Sequence, residues 1–286
     1  MVISLAAGFD GITKFGVPVH INSAGLRSPE IAVPKPAGFK RVLVLGDSVA
    51  FGWGVPEEQI FSRRLENTLQ KQLACPVEVV NAGVTDYATV DEADYFTHEG
   101  LEAEPDVVLV YYIENNNVSN PHIQGAVASF LKDWLVFRSN LAGTVLYAWR
   151  VSRWKWRANA ADGDRAAYEA EQRAWSSRPG TTVSVAALHE IGSVAKQHGM
   201  RTILASNPNN LNDRSIDDVR NRVLREVAAR DGFVLVDIAP ALIPYKGRDL
   251  AVSETDRHPN GFAHGVIAEA LLPALRDALA CPRQGF

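Results

Sequence analysis

Apolar positions along the chain fall into short runs separated by amphipathic stretches. Lys40–Leu45 (KRVLVL) is an apolar run rich in β-branched residues; it stops at Gly46, and a helical pattern follows from about Glu57 to Leu73. A run of this kind predicts a strand buried on both faces, then a turn, then a helix. The pattern recurs at Val77–Val80, Asp106–Tyr112, Arg201–Ala205 and Phe233–Val236, with helical stretches at 183–198, 215–230 and 261–280. Strands alternating with helices imply a parallel sheet covered on both faces. The expected fold is therefore α/β: a three-layer α/β/α sandwich around a five-stranded parallel, flavodoxin-like sheet. Ligands of such sheets bind at the carboxyl ends of the strands.

Two regions stand outside the repeat. Residues 1–39, with their Gly, Pro and Asn, read as an extended N-terminal arm packed on a single domain spanning 40–282. Residues 116–180 read as a helical insertion after the third strand, a cap or lid. Five of the six tryptophans lie in it (Trp134, Trp149, Trp154, Trp156 and Trp175), and Tyr147–Arg157 (YAWRVSRWKWR) is basic and aromatic. Its aromatics either pack on the main domain or form a surface that meets a membrane or a glycan.

Composition narrows the classes. With Lys+Arg 29 against Asp+Glu 33 in 286 residues, the formal charge is −4, and 47% of the residues are hydrophobic. A disordered chain is excluded, and no positive footprint points to nucleic acid. Two cysteines, Cys75 and Cys281, are too few for a disulfide framework or a four-cysteine zinc site, and their number does not set the compartment. No apolar run approaches the ~20 residues of a membrane span. The N-terminal MVISLAAGFDGITK, broken by Asp10, does not read as a signal peptide. Cytoplasmic location is the default expectation, export or membrane tethering the alternative if the natural N-terminus lies upstream. Nothing in the pattern specifies an oligomeric state.

Candidate chemistry lies where the strands end. The first strand closes on Gly46-Asp47-Ser48, and a serine at a strand-to-helix turn presents its hydroxyl at the sheet edge, with its own N–H near a helix start. Asp47 and Ser48 are also good helix caps. A nucleophilic serine needs a base, and the base needs a carboxylate on its other nitrogen. Asp256-Arg257-His258-Pro259-Asn260, in an expected loop before the last helix, offers both. Gly83 after the second strand and Asn115 after the third would join the Ser48 N–H in a three-donor oxyanion hole. Asp47, Asn116 and Asn207 are weaker, substrate-binding candidates. For His264, in the last helix, a surface structural role is expected, with a supporting role at the site as the alternative. The remaining histidines show no metal-site spacing.

GDS at 46–48, NAG at 81–83, Asn115 and DRHPN at 256–260 together resemble the four blocks of the SGNH/GDSL hydrolases, over about residues 19–276. The arm segment Ile21–Arg27 also resembles a leader segment of some members. The resemblance implies an α/β/α fold, no metal or organic cofactor, and ester hydrolysis or acyl transfer through an acyl-serine. By motif position it makes Ser48 the nucleophile, His258 the base, Asp256 its orienting acid, and Ser48, Gly83 and Asn115 the oxyanion hole. Two departures bear on the roles. Thr255 stands where many members have Asp, so the acid falls two residues before the histidine. Asn115-Asn116 replaces the common Asn-Asp, which leaves Asn116 as an alternative donor.

The expected function is thus a serine esterase or deacylase acting on a small-molecule, lipid or glycan ester. An O-acyltransferase on a glycan or lipid alcohol is the rival within the same chemistry, and a non-catalytic ligand-binding module the rival outside it. A dinucleotide site lacks its Gly-x-Gly-x-x-Gly turn.

Overall fold

The computed structural model describes residues 5–113, 179–208, 215–246 and 249–281. The elements run β1 (Asp10–Ile12), β2 (Pro18–His20), β3 (Lys40–Gly46), α1 (Ser48–Phe51), α2 (Phe61–Gln72), β4 (Val77–Asn81), α3 (Thr89–His98) and β5 (Val107–Tyr112). They continue as α4 (Pro179–Gln197), β6 (Arg201–Ser206), α5 (Ser215–Asp231), β7 (Val234–Asp237), α6 (Ala239–Leu242), β8 (Ala251–Ser253), β9 (Asp256–Pro259) and α7 (Gly261–Leu279). The central sheet has five parallel strands in the order β4-β3-β5-β6-β7. This is the flavodoxin-like arrangement that the apolar runs predict. The expected cap at 116–180 lies outside the described residues apart from the first two residues of α4.

Strand periodicity builds the two outer layers. Val42 and Val44 of β3, with Val107 and Leu109 of β5, join a core that holds Phe61, Leu65 and Leu69 of α2 and Ile267, Leu271 and Leu275 of α7. Leu43 and Leu45, with Val108 and Val110, point the other way, into a core with Phe96 of α3, Leu188 and Ile191 of α4, and Leu224 and Val227 of α5. Successive side chains of a strand face opposite sides. An uninterrupted apolar run therefore feeds two cores at once. Among the described residues, no helix is long and apolar enough to cross a membrane.

Two features were not legible in the pattern. Residues 10–20 of the arm contain an antiparallel hairpin, β1–β2, with Asp10 opposite His20. Cys75, in the turn between α2 and β4, is bonded to Cys281 just beyond α7, with Cα atoms 6.0 Å apart. A cysteine count sees no partner across 206 residues of sequence; the bond forms where β4 and α7 both pack against α2.

Candidate active site

β3 delivers Gly46, Asp47 and Ser48 to the carboxyl edge of the sheet. There the Asp47 side chain caps α1 by accepting from the Val49 N–H at 2.9 Å. Ser48 is the first residue of α1, a position whose N–H no intrahelical carbonyl can satisfy. Its hydroxyl is 2.8 Å from His258 Nε2, and His258 Nδ1 is 2.5 Å from Asp256 Oδ1. Three residues separated by up to 210 positions thus form one hydrogen-bonded chain.

The segment carrying His258 is a strand, not the expected loop. β9 pairs antiparallel with β8, Ser253 opposite Asp256 and Ala251 opposite Pro259. In a strand, residues i and i+2 share a face, which is how an acid two residues before the histidine reaches its ring. Asp256 Oδ1 also accepts from the His258 N–H at 3.2 Å. Strands this short have no room for an alternating pattern, so the loop-like composition concealed them. At the far end of β9, Asn260 caps α7 by accepting from the Ala263 N–H at 3.0 Å.

Gly83 follows β4 against the back of α1. A Cβ there would come within 2.4 Å of the Phe51 nitrogen and 2.7 Å of the Ala50 carbonyl carbon, both backbone. The close approach that requires glycine is thus to the helix carrying Ser48. The Gly83 N–H donates to Asn81 Oδ1 at 3.0 Å, and Asn81 Nδ2 donates to the Ala50 carbonyl at 2.8 Å. Asn81 therefore ties the β4 edge to α1. Asn115 and Asn116 lie outside the described residues. Asn207 stands at the carboxyl edge, where its Oδ1 accepts from the Tyr111 hydroxyl at 2.8 Å.

Asp47 and His264 are corrected by their burial. Asp47, 3% exposed, is a capping group rather than a surface for substrate. His264 is fully buried, not a surface residue. Its Nδ1 accepts from the Phe61 N–H at 3.2 Å, and its ring stacks on that of Phe61, so it joins α7 to the start of α2. Burial, followed by the charges of Arg64 and Arg27, pushes its pKa down to about 3, which keeps it neutral at physiological pH.

A profile of the GDSL-like Lipase/Acylhydrolase family matches residues 44–266. The chain belongs to this family. Solved structures share its fold. TesA has a TM-score of 0.53 at 16% identity, covering 84% of this chain and 99% of its own. Axe2, an acetylxylan esterase from Geobacillus stearothermophilus, has 0.51 at 15%, covering 85% and 95%. The psychrotrophic esterase EstA from Pseudoalteromonas sp. has 0.51 at 12%, covering 83% and 97%. Comparison with curated proteins returns no match. Family membership makes the protein an SGNH-type carboxylic ester hydrolase.

This GDSL hydrolase carries a support for α1 that the motif blocks did not reveal. Arg27 of the arm is fully buried and donates to the carbonyls of Phe51 (3.0 Å), Gly52 (2.8 Å) and Val55 (2.9 Å). Its guanidinium lies 4.7 Å from the centre of the Phe51 ring. A four-residue helix cannot hold itself; Asp47 caps its start, and Arg27 collects the carbonyls at its end. Burial lowers the Arg27 pKa to about 10, against the charges of Glu57 and Glu58, so it remains a cation at neutral pH. Arg27→Met leaves three buried carbonyls without this donor and is expected to cost about 3 kcal/mol of stability. Arg27→Lys, lacking the planar fork, recovers only part of it. Urea unfolding checks both; an unchanged midpoint in Arg27→Met contradicts the role.

Asp47 makes a pH-dependent prediction. Burial raises its pKa to about 6, opposed by the Val49 N–H and the charge of His258. A carboxyl whose folded pKa exceeds its unfolded one holds its proton better in the native state. Its ionisation therefore removes stability as pH rises from about 4 to 6, and the loss persists above that range. Asn caps a helix as well as Asp does and carries no charge. Relative to wild type, Asp47→Asn should gain about 2 kcal/mol between pH 4 and pH 7, read from urea unfolding at the two pH values. A difference independent of pH would contradict it.

Proposed function

We propose that the protein is a serine esterase that cleaves a carboxylic ester through an acyl-serine intermediate. The observation that carries this reading is the chain Ser48 Oγ to His258 Nε2 (2.8 Å) and His258 Nδ1 to Asp256 Oδ1 (2.5 Å), at the carboxyl edge of the sheet. Asp256 holds the tautomer in which Nδ1 carries the proton and Nε2 is free to accept one. As Ser48 Oγ bonds to the ester carbonyl carbon, its proton passes to His258 Nε2 and the carbonyl electrons move onto oxygen. Collapse expels the alcohol, which takes the proton from His258. Water, deprotonated by the same nitrogen, then bonds to the acyl carbon; the acyl–Oγ bond breaks, the acid leaves, and Ser48 Oγ takes the proton back from His258.

The Ser48 N–H, at the positive end of α1, is the first oxyanion donor. The Asn115 amide, with Asn116 as the alternative, is the second. Gly83 joins them only by exchanging its bond to Asn81 for one to the oxyanion. Small-molecule, lipid and glycan esters are all open to this chemistry. Covalent labelling by an organophosphonate tests the reading: one adduct on Ser48, abolished in Ser48→Ala, is expected. A folded wild type that neither labels nor hydrolyses any p-nitrophenyl ester overturns it in favour of a binding module. Product analysis with and without a sugar acceptor separates hydrolysis from acyl transfer.

The Cys75–Cys281 bond supports an oxidising compartment for this chemistry, since such bonds persist where thiols are not kept reduced. Alkylation of acid-quenched native cells should leave both cysteines unmodified, and full alkylation would refute that location.

A further inference from the structure

We propose that Lys14, at the tip of the N-terminal hairpin, is a positioning residue of the active site that acts on His258 through Asp256. The proposal rests on the reading of His258 as the base. The two oxygens of Asp256 face different partners. Oδ1 takes the backbone N–H and ring Nδ1 of His258, whereas Oδ2 lies 3.1 Å from Lys14 Nζ and 3.3 Å from Trp53 Nε1. One oxygen serves the base, and the other is held by the arm and by the residue just beyond α1.

The arm is docked there rather than passing by. Its turn is closed by the Thr13 N–H donating to the Val17 carbonyl at 2.9 Å, and by Thr13 Oγ1 accepting from the N–H groups of Phe15 and Val17, each at 3.3 Å. Phe15 meets Trp53 edge-on, with ring centres 6.3 Å apart. It also sits so close to Gly54 that a Cβ there, at φ +75°, would come within 2.9 Å of its ring. Lys14 Nζ lies 4.7 Å from the centre of the Phe15 ring and 5.8 Å from that of Trp53. Val19 and Ile21, behind the turn, share a small core with Phe51 of α1. Aromatic faces and a carboxylate thus fix an ammonium group that is otherwise half-exposed, its side chain 51% accessible against 10% for Asp256.

Two consequences follow from one contact. A carboxylate held at both oxygens cannot swing about its own axis, so His258 keeps its orientation toward Ser48. The Lys14 charge also offsets part of the field that the Asp256 carboxylate exerts on the neighbouring ring. Burial works to raise the Asp256 pKa, yet the hydrogen bonds from His258 and Lys14 outweigh it and hold the group at about 2, ionised throughout the working range. Among the described residues, Asp47 at the cap of α1 and His264 on α7 are further ionisable groups that interact with His258, and Arg257 adjoins it on β9. Among the described residues, Lys14 is the cation on Oδ2.

The test compares Lys14→Met with wild type in the acid limb of the kcat/KM profile and in the NMR titration of the His258 ring. Both should move to higher pH by about 0.5 unit, as expected on removing one half-exposed neighbouring charge. The plateau should fall about 3- to 10-fold with KM within twofold, as for an interaction made in the transition state alone. Lys14→Arg should restore the limb, and in an Asp256→Asn background Lys14→Met should lower the plateau no further. A folded Lys14→Met variant with an unmoved His258 titration overturns the proposal. So does a further fall of the plateau in the Asp256→Asn background, because the positioning would not run through Asp256. The ring titration needs no substrate. Failure of the esterase reading, seen as an inactive wild type, therefore stays distinct from failure of this one.

Discussion

Ser48→Ala is expected to lower kcat for ester hydrolysis by about 10⁶-fold, the loss seen when the nucleophile of a serine-based relay is removed. Its size follows from what remains. Without Oγ no acyl-enzyme forms, His258 has no hydroxyl to deprotonate, and only the donors at the α1 N-terminus and substrate binding still assist. The fold should survive, because Asp47 caps α1 through Val49, and Arg27 holds its far end through Phe51, Gly52 and Val55. The measurement is a p-nitrophenyl ester series, from acetate to long chains, on both proteins with melting temperatures in parallel. A variant within tenfold of wild type would remove Ser48 from the mechanism. The chain-length profile of the wild type would size the acyl pocket.

Loss of the Cys75–Cys281 bond should have the largest effect on stability. It spans 206 residues, and closing so long a loop restricts the unfolded chain by about 5 kcal/mol. Catalysis should be spared at temperatures where the protein stays folded. The bond lies past the C-terminal end of α7, whereas the Asn260 cap and β9 lie at its start. The helix has 19 residues, and at 1.5 Å per residue that is about 28 Å. A double Cys75→Ala, Cys281→Ala variant, followed by urea unfolding and ester turnover, reads both effects. An unchanged midpoint would show that the cross-link does not constrain the unfolded state. A collapse of kcat in the folded variant would show that strain at one end of α7 reaches the other.

Much of the fold was written in local pattern. The apolar runs predicted all five central strands, and their glycine and asparagine terminators marked the edge where Ser48, Gly83 and Asn207 lie. Ser48, His258 and Asp256 could be nominated together from motif position and residue type, because a hydroxyl, an imidazole and a carboxylate have complementary proton chemistry. The short β8–β9 strands, the arm hairpin and the buried state of Asp47 and His264 were not legible in this way. Each depends on what packs against a segment rather than on its own periodicity. Arg27 and Lys14 illustrate the point. A lone basic residue in a glycine-rich arm carries no pattern, and only the partners reveal one as a clamp on α1 and the other as a contact of Asp256.

The sequence by itself determined the layer architecture and the chemical character of the candidate groups at the sheet edge, since periodicity and side-chain chemistry are properties of neighbours along the chain. Tertiary structure alone decided which distant groups meet: the arm with α1 and Asp256, Cys75 with Cys281, and His258 with Ser48 at 2.8 Å. Such meetings are set by the closure of the whole sheet and its two helical layers. No local stretch of sequence carries that information.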